Sequence, residues 1–99
     1  MPYTIEYSPD AEDHLWPLMA RQRSIVLDSV DSQLAHQPGV ETRNRKPIRP
    51  NPVVPWELHI GDLRAYYDIV EEPEKRVLVR AVGIKIRSSV RIGGEEVQL

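Results

Sequence analysis

A short segment in the second half of the chain, residues 56–69 (WELHIGDLRAYYDI), has a residue pattern suited to binding an anion. Apolar and polar residues alternate on both sides of Gly61 and Asp62, which predicts a β-hairpin with a tight turn. Arg64 is the single cation of this hairpin and stands among bulky neighbours. The hairpin is therefore predicted to be a platform that presents one positive charge to an anionic ligand.

Cationic residues also flank the hairpin on both sides. They are Arg43, Arg45, Lys46 and Arg49 before it, and Lys85, Arg87 and Arg91 after it. We expect these basic elements and the hairpin to meet on one surface. The alternative is a set of ordinary solvated charges, in which Arg64 pairs with Asp62 or Glu57 across the hairpin.

The N-terminal third has the signals of one strand and two helices. Residues 3–7 (YTIEY) alternate and are aromatic or β-branched, which predicts a strand. Ser8 followed by Pro9 is typical of a helix start, and Pro17 predicts a break just before it. A second helix is predicted for residues 21–36, where apolar residues recur at helical spacing.

The rest of the chain predicts a loop followed by a small sheet. Residues 38–55 contain five prolines and little apolar content, which predicts an extended loop. Residues 56–60, 63–70 and 76–82 then predict three strands joined by tight turns. These strands should form an antiparallel meander, and the third has apolar residues on both faces, as is typical of a central strand.

Length and composition limit the classes of function. A chain of 99 residues supports a single domain spanning residues 1–99. The absence of cysteine excludes disulfides, thiolate catalysis and cysteine-type zinc sites. The three histidines have no metal-ligand spacing, so no metal or cofactor is expected.

No apolar run approaches the ~20 residues that span a bilayer, and no signal peptide is evident, so we expect a soluble cytoplasmic protein with no membrane partner.

The net charge of −2 hides an uneven distribution along the chain. Residues 1–42 hold seven acidic residues against two arginines, whereas residues 43–99 hold eleven cations against eight acidic residues. A local anion site is compatible with the acidic total. Long-range attraction of nucleic acid is expected to be weak.

Three segments carry a resemblance to a known family: RNRKPIRP (43–50), WELHIGDLRAYYDI (56–69) and VLVRAVGIKIR (77–87). With the order strand, two helices, basic loop, meander and basic tail, they resemble the RelE/ParE superfamily of toxins from bacterial type II toxin–antitoxin modules. The resemblance covers nearly the whole chain. It implies an α+β fold in which two N-terminal helices pack on one face of a small twisted antiparallel β-sheet.

RelE-like members cut messenger RNA (mRNA) on the ribosome without a metal ion, by attack of a ribose 2′-OH on the neighbouring phosphate. The resemblance therefore implies a metal-independent, ribosome-dependent endoribonuclease (an mRNA interferase) that inhibits translation. Its implied partners are the ribosome, mRNA and a cognate RelB-like antitoxin. Such cleavage needs a base, a cation for the developing phosphorane charge and an acid for the leaving oxygen.

The resemblance also implies catalytic roles for five residues. Arg64 matches the family's hairpin arginine, and Lys85 and Arg87 match the basic pair after the family's glycine, so these three would clamp the phosphate. Glu57 and His59 stand where RelE itself has two lysines. Since other branches use Glu and His, Glu57 is expected to be the base and His59 the acid or base. The two lie two apart on a strand and should face the same side.

A further set of residues is expected to hold RNA, and it consists of Arg43, Arg45, Lys46, Arg49, Tyr67 and Arg91. Tyr67 is the candidate for stacking on a base, whereas Trp56 and Tyr66 are expected in the core. Arg91 stands where several members have a tyrosine near the C-terminus.

Two other functions stay open at this point. ParE-like members share the fold, lack the catalytic set and inhibit DNA gyrase, and a catalytically inactive toxin homologue is also possible. In the free protein, the C-terminal tail with Glu95 and Glu96 could cover Lys85 and Arg87.

Overall fold

The structure, a computed structural model, describes residues 3–48, 56–86, 89–92 and 95–97. Residues 95–97 are described by their backbone alone. In these ranges the chain forms two helices and seven strands. In chain order they are β1 (Thr4–Tyr7), α1 (Pro9–Leu15), α2 (Ala20–Leu34), β2 (Arg45–Pro47), β3 (Trp56–Ile60), β4 (Leu63–Val70), β5 (Arg76–Ile86), β6 (Ser89–Ile92) and β7 (Glu95–Val97).

The strands form one sheet in the order β2-β3-β4-β5-β6-β7, with antiparallel pairing between neighbours. β1 joins this sheet through a parallel pairing with the first part of β5, from Arg76 to Val79. A parallel pairing needs a long connection, and both helices lie between β1 and the other strands in the chain. The predicted meander is confirmed, and its third strand, β5, is central because it pairs with β1, β4 and β6.

The sheet extends beyond the predicted strands at two places. β5 continues past residue 82 to Ile86, where β6 pairs with it. Gly83 permits this close pairing, since a Cβ there would lie 2.6 Å from the carbonyl oxygen of Arg91. Within the predicted loop, Arg45–Pro47 forms β2, an edge strand on β3. Three residues that end in proline carry no strand signal in the sequence, and proline is tolerated at such an edge.

The two helices follow the local signals in the sequence. The Ser8 hydroxyl accepts a hydrogen bond of 3.1 Å from the Ala11 N–H, and α1 ends at Leu15, two residues before the proline. α2 lies within one residue of its predicted start and two of its predicted end. The residues that α2 buries are Val26, Val30 and Leu34, spaced four apart on one side of the helix.

The main core lies between the helices and one face of the sheet, which we call the helix face. Sheet residues buried on this face are Leu58, Leu63, Ala65, Tyr67, Val77, Val79 and Val82. The Trp56 ring stacks on the Tyr67 ring with centroids 6.1 Å apart, and the Tyr67 hydroxyl donates a hydrogen bond of 2.7 Å to the Pro38 carbonyl. The predicted α+β class, with two helices packed on a mostly antiparallel sheet, is confirmed.

The buried tyrosines predict a loss of stability at alkaline pH. Burial, with a smaller effect of Asp31, raises the pKa of Tyr7 to about 12, and burial likewise raises the pKa values of Tyr66 and Tyr67. In the unfolded chain these phenols ionise near pH ~10. Their contribution to the free energy of unfolding is therefore fully present below that pH, and it is lost as the pH rises toward the higher pKa values of the folded protein. Each one lowers the free energy of unfolding by up to about 1.4 kcal/mol per pH unit in that window.

Urea unfolding on either side of pH ~10 measures this effect. We expect the free energy of unfolding to fall with pH above ~10 in the wild-type protein, and to fall less steeply in Tyr7→Phe, because one of the three phenols is then gone. A slope that is the same in both proteins would contradict this assignment.

Candidate active site

The face of the sheet opposite the helices, here called the open face, carries most of the predicted catalytic residues. Side chains alternate along a strand, so residues directly opposite one another in neighbouring strands share a face. Two adjacent rows of such neighbours lie on the open face: Lys46, Glu57, Tyr66 and Ala81 form one row, and His59, Arg64, Gly83 and Ile92 form the other. Carboxylate, imidazole, guanidinium and phenol groups are thereby brought to one small surface.

Glu57 and His59 are in direct contact on β3. The distance from His59 Nε2 to Glu57 Oε1 is 2.5 Å, and the side chains are 28% and 17% exposed, respectively. The predicted placement of the two residues on the same side of the strand is therefore correct. Both groups are accessible from solvent, and each can exchange a proton with a bound molecule.

Arg64 is a buried cation at the turn end of the hairpin. It is only 6% exposed, and its Nη1 atom donates hydrogen bonds of 2.6 Å to the Gly61 carbonyl and 2.9 Å to the Leu63 carbonyl. Gly61 has a φ of 59°, a conformation that glycine adopts without strain, so the turn can aim its carbonyl at the guanidinium. Within the described ranges Arg64 forms no ion pair, either with Asp62 or with Glu57.

The absence of a carboxylate partner among these residues matters for the electrostatics of the site. A buried charge is costly unless it is paired or well hydrogen-bonded. The two carbonyl oxygens solvate the Arg64 guanidinium in part, but they bring no negative charge. An anion that binds beside Arg64 would complete this pairing, and a phosphate matches the guanidinium geometry.

Tyr66 is a core residue, as the sequence predicts, and it lies beside the candidate site. It is fully buried, as expected, but on the open face, where it packs with Ile48, Ala81, Val90 and Ile92. Its hydroxyl is buried and makes no hydrogen bond of ordinary geometry to the described residues. Burial raises its pKa strongly, and the nearby Glu57 carboxylate raises it further by its charge and as a hydrogen-bond acceptor, while Arg64 opposes the change. The alternation of the strand could have revealed this position, because Tyr66 lies two residues after Arg64.

Two predicted lysines are available near this cluster, and one predicted arginine is exposed before β2. Lys46 is exposed and lies opposite Glu57 on the edge strand β2. Lys85 is exposed and is a diagonal cross-strand neighbour of Arg64, at a Cα separation of ~7–8 Å typical of such pairs. Arg43 is exposed in the segment that leads into β2. The open face therefore combines one buried cation with exposed cations around it.

Two residues of the predicted RNA-binding set have structural contacts instead. Tyr67 is fully buried on the helix face, and its hydroxyl is bonded to the Pro38 carbonyl, so its ring cannot stack on a base. Arg45 also points to the helix face and donates hydrogen bonds of 2.6 and 2.8 Å to the carbonyls of Gln33 and Gln37 at the end of α2. A cation suits this position because helix C-termini carry unpaired carbonyls and partial negative charge.

The C-terminal predictions are corrected in part. Arg91 lies opposite Ile84, which places it on the helix side of the sheet, at a pocket it shares with His14 and Leu18. β7 pairs with β6, and Lys85 is exposed, so the described residues of the tail do not cover that lysine. Two predicted cations, Arg49 and Arg87, lie outside the described residues. Sequence order alone did not reveal that the tail adds a strand to the sheet.

The described residues hold no group of three or more histidine, aspartate or glutamate side chains placed to bind a metal ion. None of their helices is long and apolar enough to cross a membrane.

One of three comparisons with known proteins supports the α+β fold described above. No protein-family model matches the sequence, and no curated protein matches it significantly. Among solved structures, a chain of the toxin–antitoxin complex RelBE2 from Mycobacterium tuberculosis is similar, with a TM-score of 0.72 and 26% sequence identity. The match covers 86% of this chain and 100% of the other.

The two adjacent tyrosines of β4 predict opposite responses to loss of a hydroxyl. Tyr67→Phe should lower the free energy of unfolding by about 1–2 kcal/mol, because the Pro38 carbonyl loses its buried donor. Tyr66→Phe should leave the free energy of unfolding unchanged or raise it, because its hydroxyl has no partner to lose. Chemical denaturation of the two variants at neutral pH tests this pair, and a larger loss in Tyr66→Phe would contradict the assignment of the two faces.

Proposed function

We propose that this chain, which has the fold of a RelE-like toxin, arrests translation by cutting mRNA on the ribosome. The toxin role is supported by the structural match. The observation that carries the finer proposal is the buried Arg64 without a carboxylate partner among the described residues, on the same face as the bonded Glu57 and His59 pair. A cation that needs an anion thus lies beside groups that can move protons.

The reaction follows from the roles of these three groups. Glu57 takes the proton of a ribose 2′-OH, whose oxygen attacks the adjacent phosphorus. A bond forms between phosphorus and the 2′ oxygen while the bond to the 5′ oxygen breaks. Protonated His59 gives its proton to that leaving oxygen, and Arg64 stabilises the charge that develops on the phosphorane oxygens. The products are a 2′,3′-cyclic phosphate on one fragment and a 5′-hydroxyl on the other.

The exposed cations around the site supply binding, and Lys85, a diagonal neighbour of Arg64, is also proposed as a second clamp on the scissile phosphate. Lys46, Arg43 and Lys85 can contact phosphates of mRNA or ribosomal RNA, which positions the chain without reading sequence. Arg49 as an RNA contact and Arg87 as a phosphate clamp stay proposals on the basis of the sequence alone. Because the protein as a whole is acidic, the ribosome must present the message closely, which suits an enzyme that depends on it.

The proposed module also includes a protein partner and a place of action. The similar chain belongs to a toxin–antitoxin complex, and we propose that this chain likewise binds a cognate RelB-like antitoxin. Its action on translating ribosomes would take place in the cytoplasm.

Primer extension on mRNA from a cell-free translation reaction tests the nuclease proposal. The wild-type protein should produce new mRNA ends within translated codons. Arg64→Ala should reduce cutting by roughly a hundredfold or more, because removal of one preorganised donor to a developing oxyanion has an effect of that size. Glu57→Gln should also reduce cutting, because an amide cannot accept the 2′-OH proton.

Arg91→Ala is the matched control, since it removes one cation from the other side of the sheet. It should cut nearly as well as the wild-type protein. Intact mRNA with normal translation would refute the nuclease and direct the search to gyrase inhibition or to an inactive relative. Equal losses in Arg64→Ala and Arg91→Ala would refute the placement of the site on the open face.

A further inference from the structure

The contact between Glu57 and His59 sets a condition on the proposed reaction. His59 Nε2, one of the two ring nitrogens that can carry a proton, is bonded to Glu57 Oε1 in the free protein. One nitrogen cannot serve both partners at full strength. If Nε2 is the atom that protonates the leaving 5′ oxygen, the pair must separate first, and the Glu57 carboxylate then needs another donor.

We propose that Tyr66 is that donor: a positioning residue whose hydroxyl takes up the Glu57 carboxylate when RNA binds and His59 turns to the substrate. This inference rests on the nuclease function proposed above and adds a residue to its machinery. Tyr66 does not touch the reacting atoms. It acts through Glu57, by keeping the carboxylate aimed at the 2′-OH.

The register of the sheet places the two residues side by side. Tyr66 lies directly opposite Glu57 in the pairing of β4 with β3, and both point to the open face. Side chains in such a pair have Cβ atoms ~4.5–5.5 Å apart. The Glu57 carboxylate already lies close enough to the Tyr66 phenol to raise its pKa, both by its charge and as a hydrogen-bond acceptor, so the phenol can hold the carboxylate once His59 turns away.

The surroundings of Tyr66 hold its hydroxyl ready for such a contact. Its ring is fixed between Ile48, Ala81, Val90 and Ile92, and its hydroxyl is buried with no hydrogen-bond partner among the described residues. A phenylalanine would fill the same space without an unpaired polar group, so packing does not explain the hydroxyl. Burial, and the nearby Glu57 carboxylate after it, raise the pKa of the phenol, which keeps its proton available for donation.

Protons balance in the resulting step. Tyr66 keeps its own proton throughout and donates a hydrogen bond to Glu57. Glu57 gains the proton of the 2′-OH, and His59 loses one to the 5′ oxygen. Proton exchange with water then restores both groups, and the Glu57 to His59 contact can form again after the products leave.

The test is single-turnover cleavage of mRNA on programmed ribosomes, with the toxin concentration varied. Tyr66→Phe should lower the rate at saturating toxin by roughly ten- to hundredfold, the effect of one hydrogen bond to a charged group. The toxin concentration for half-maximal rate should not change, because Tyr66 makes no contact with RNA or ribosome. Tyr67→Phe is the control, since it removes a hydroxyl from the next residue on the opposite face, and its rate should match the wild-type rate.

A double-mutant cycle separates action through Glu57 from any other role. In a Glu57→Gln background, Tyr66→Phe should cause little further loss, because the carboxylate that Tyr66 positions is already gone. Three results would overturn the inference and leave the nuclease function in place. They are an equal loss of cleavage rate in both backgrounds, an unchanged rate in Tyr66→Phe, and a raised toxin concentration for half-maximal rate in that variant. Absence of cleavage by the wild-type protein would overturn both.

Discussion

The site depends on one electrostatic constraint, the burial of a permanently charged guanidinium without a carboxylate partner among the described residues. Arg64 is kept in place by carbonyl oxygens of its own hairpin, at Gly61 and Leu63. The turn geometry fixes the cation, because Gly61 takes a left-handed conformation there. A charge held in this way is preorganised, so little reorganisation is needed when an anion arrives. Glu57 and His59, the proposed proton-transfer groups, lie on the same face as this fixed charge.

β4 contributes residues to both faces of the sheet. Its helix-face residues Ala65 and Tyr67 are part of the main core, whereas Arg64 and Tyr66 face the site. Alternate residues of a strand point to opposite faces. A shift of one residue in register would therefore turn the core side chains of β4 to the open face and its open-face side chains to the core. The hydrogen bond of Tyr67 to the loop at Pro38 and the contacts of the main core on this face oppose such a shift.

Local chemistry explains how much could be predicted from the sequence. The Ser8 cap, the turn at Gly61 and the bounds of β3 and β4 depend on neighbouring residues, and they were predicted well. Nothing in the sequence indicated the contacts of Arg45, because its partners at the end of α2 become its neighbours only in the fold. Tyr67 was misassigned because two adjacent tyrosines look alike in sequence, and only the packing of the helices decides which of them is covered. Arg91 depends in the same way on the register of β6.

The most direct test of the central claim is the chemistry of the cut. The open face is proposed to activate a ribose 2′-OH and to stabilise the phosphorane beside Arg64, so the sugar on the 5′ side of the cut must carry that hydroxyl. The measurement compares two messages on programmed ribosomes, one all-ribose and one with a single 2′-deoxy sugar at the mapped cutting position. The all-ribose message should yield a 2′,3′-cyclic phosphate and a 5′-hydroxyl, and the deoxy message should stay intact at that position. Cleavage of the deoxy message at the same bond would contradict it.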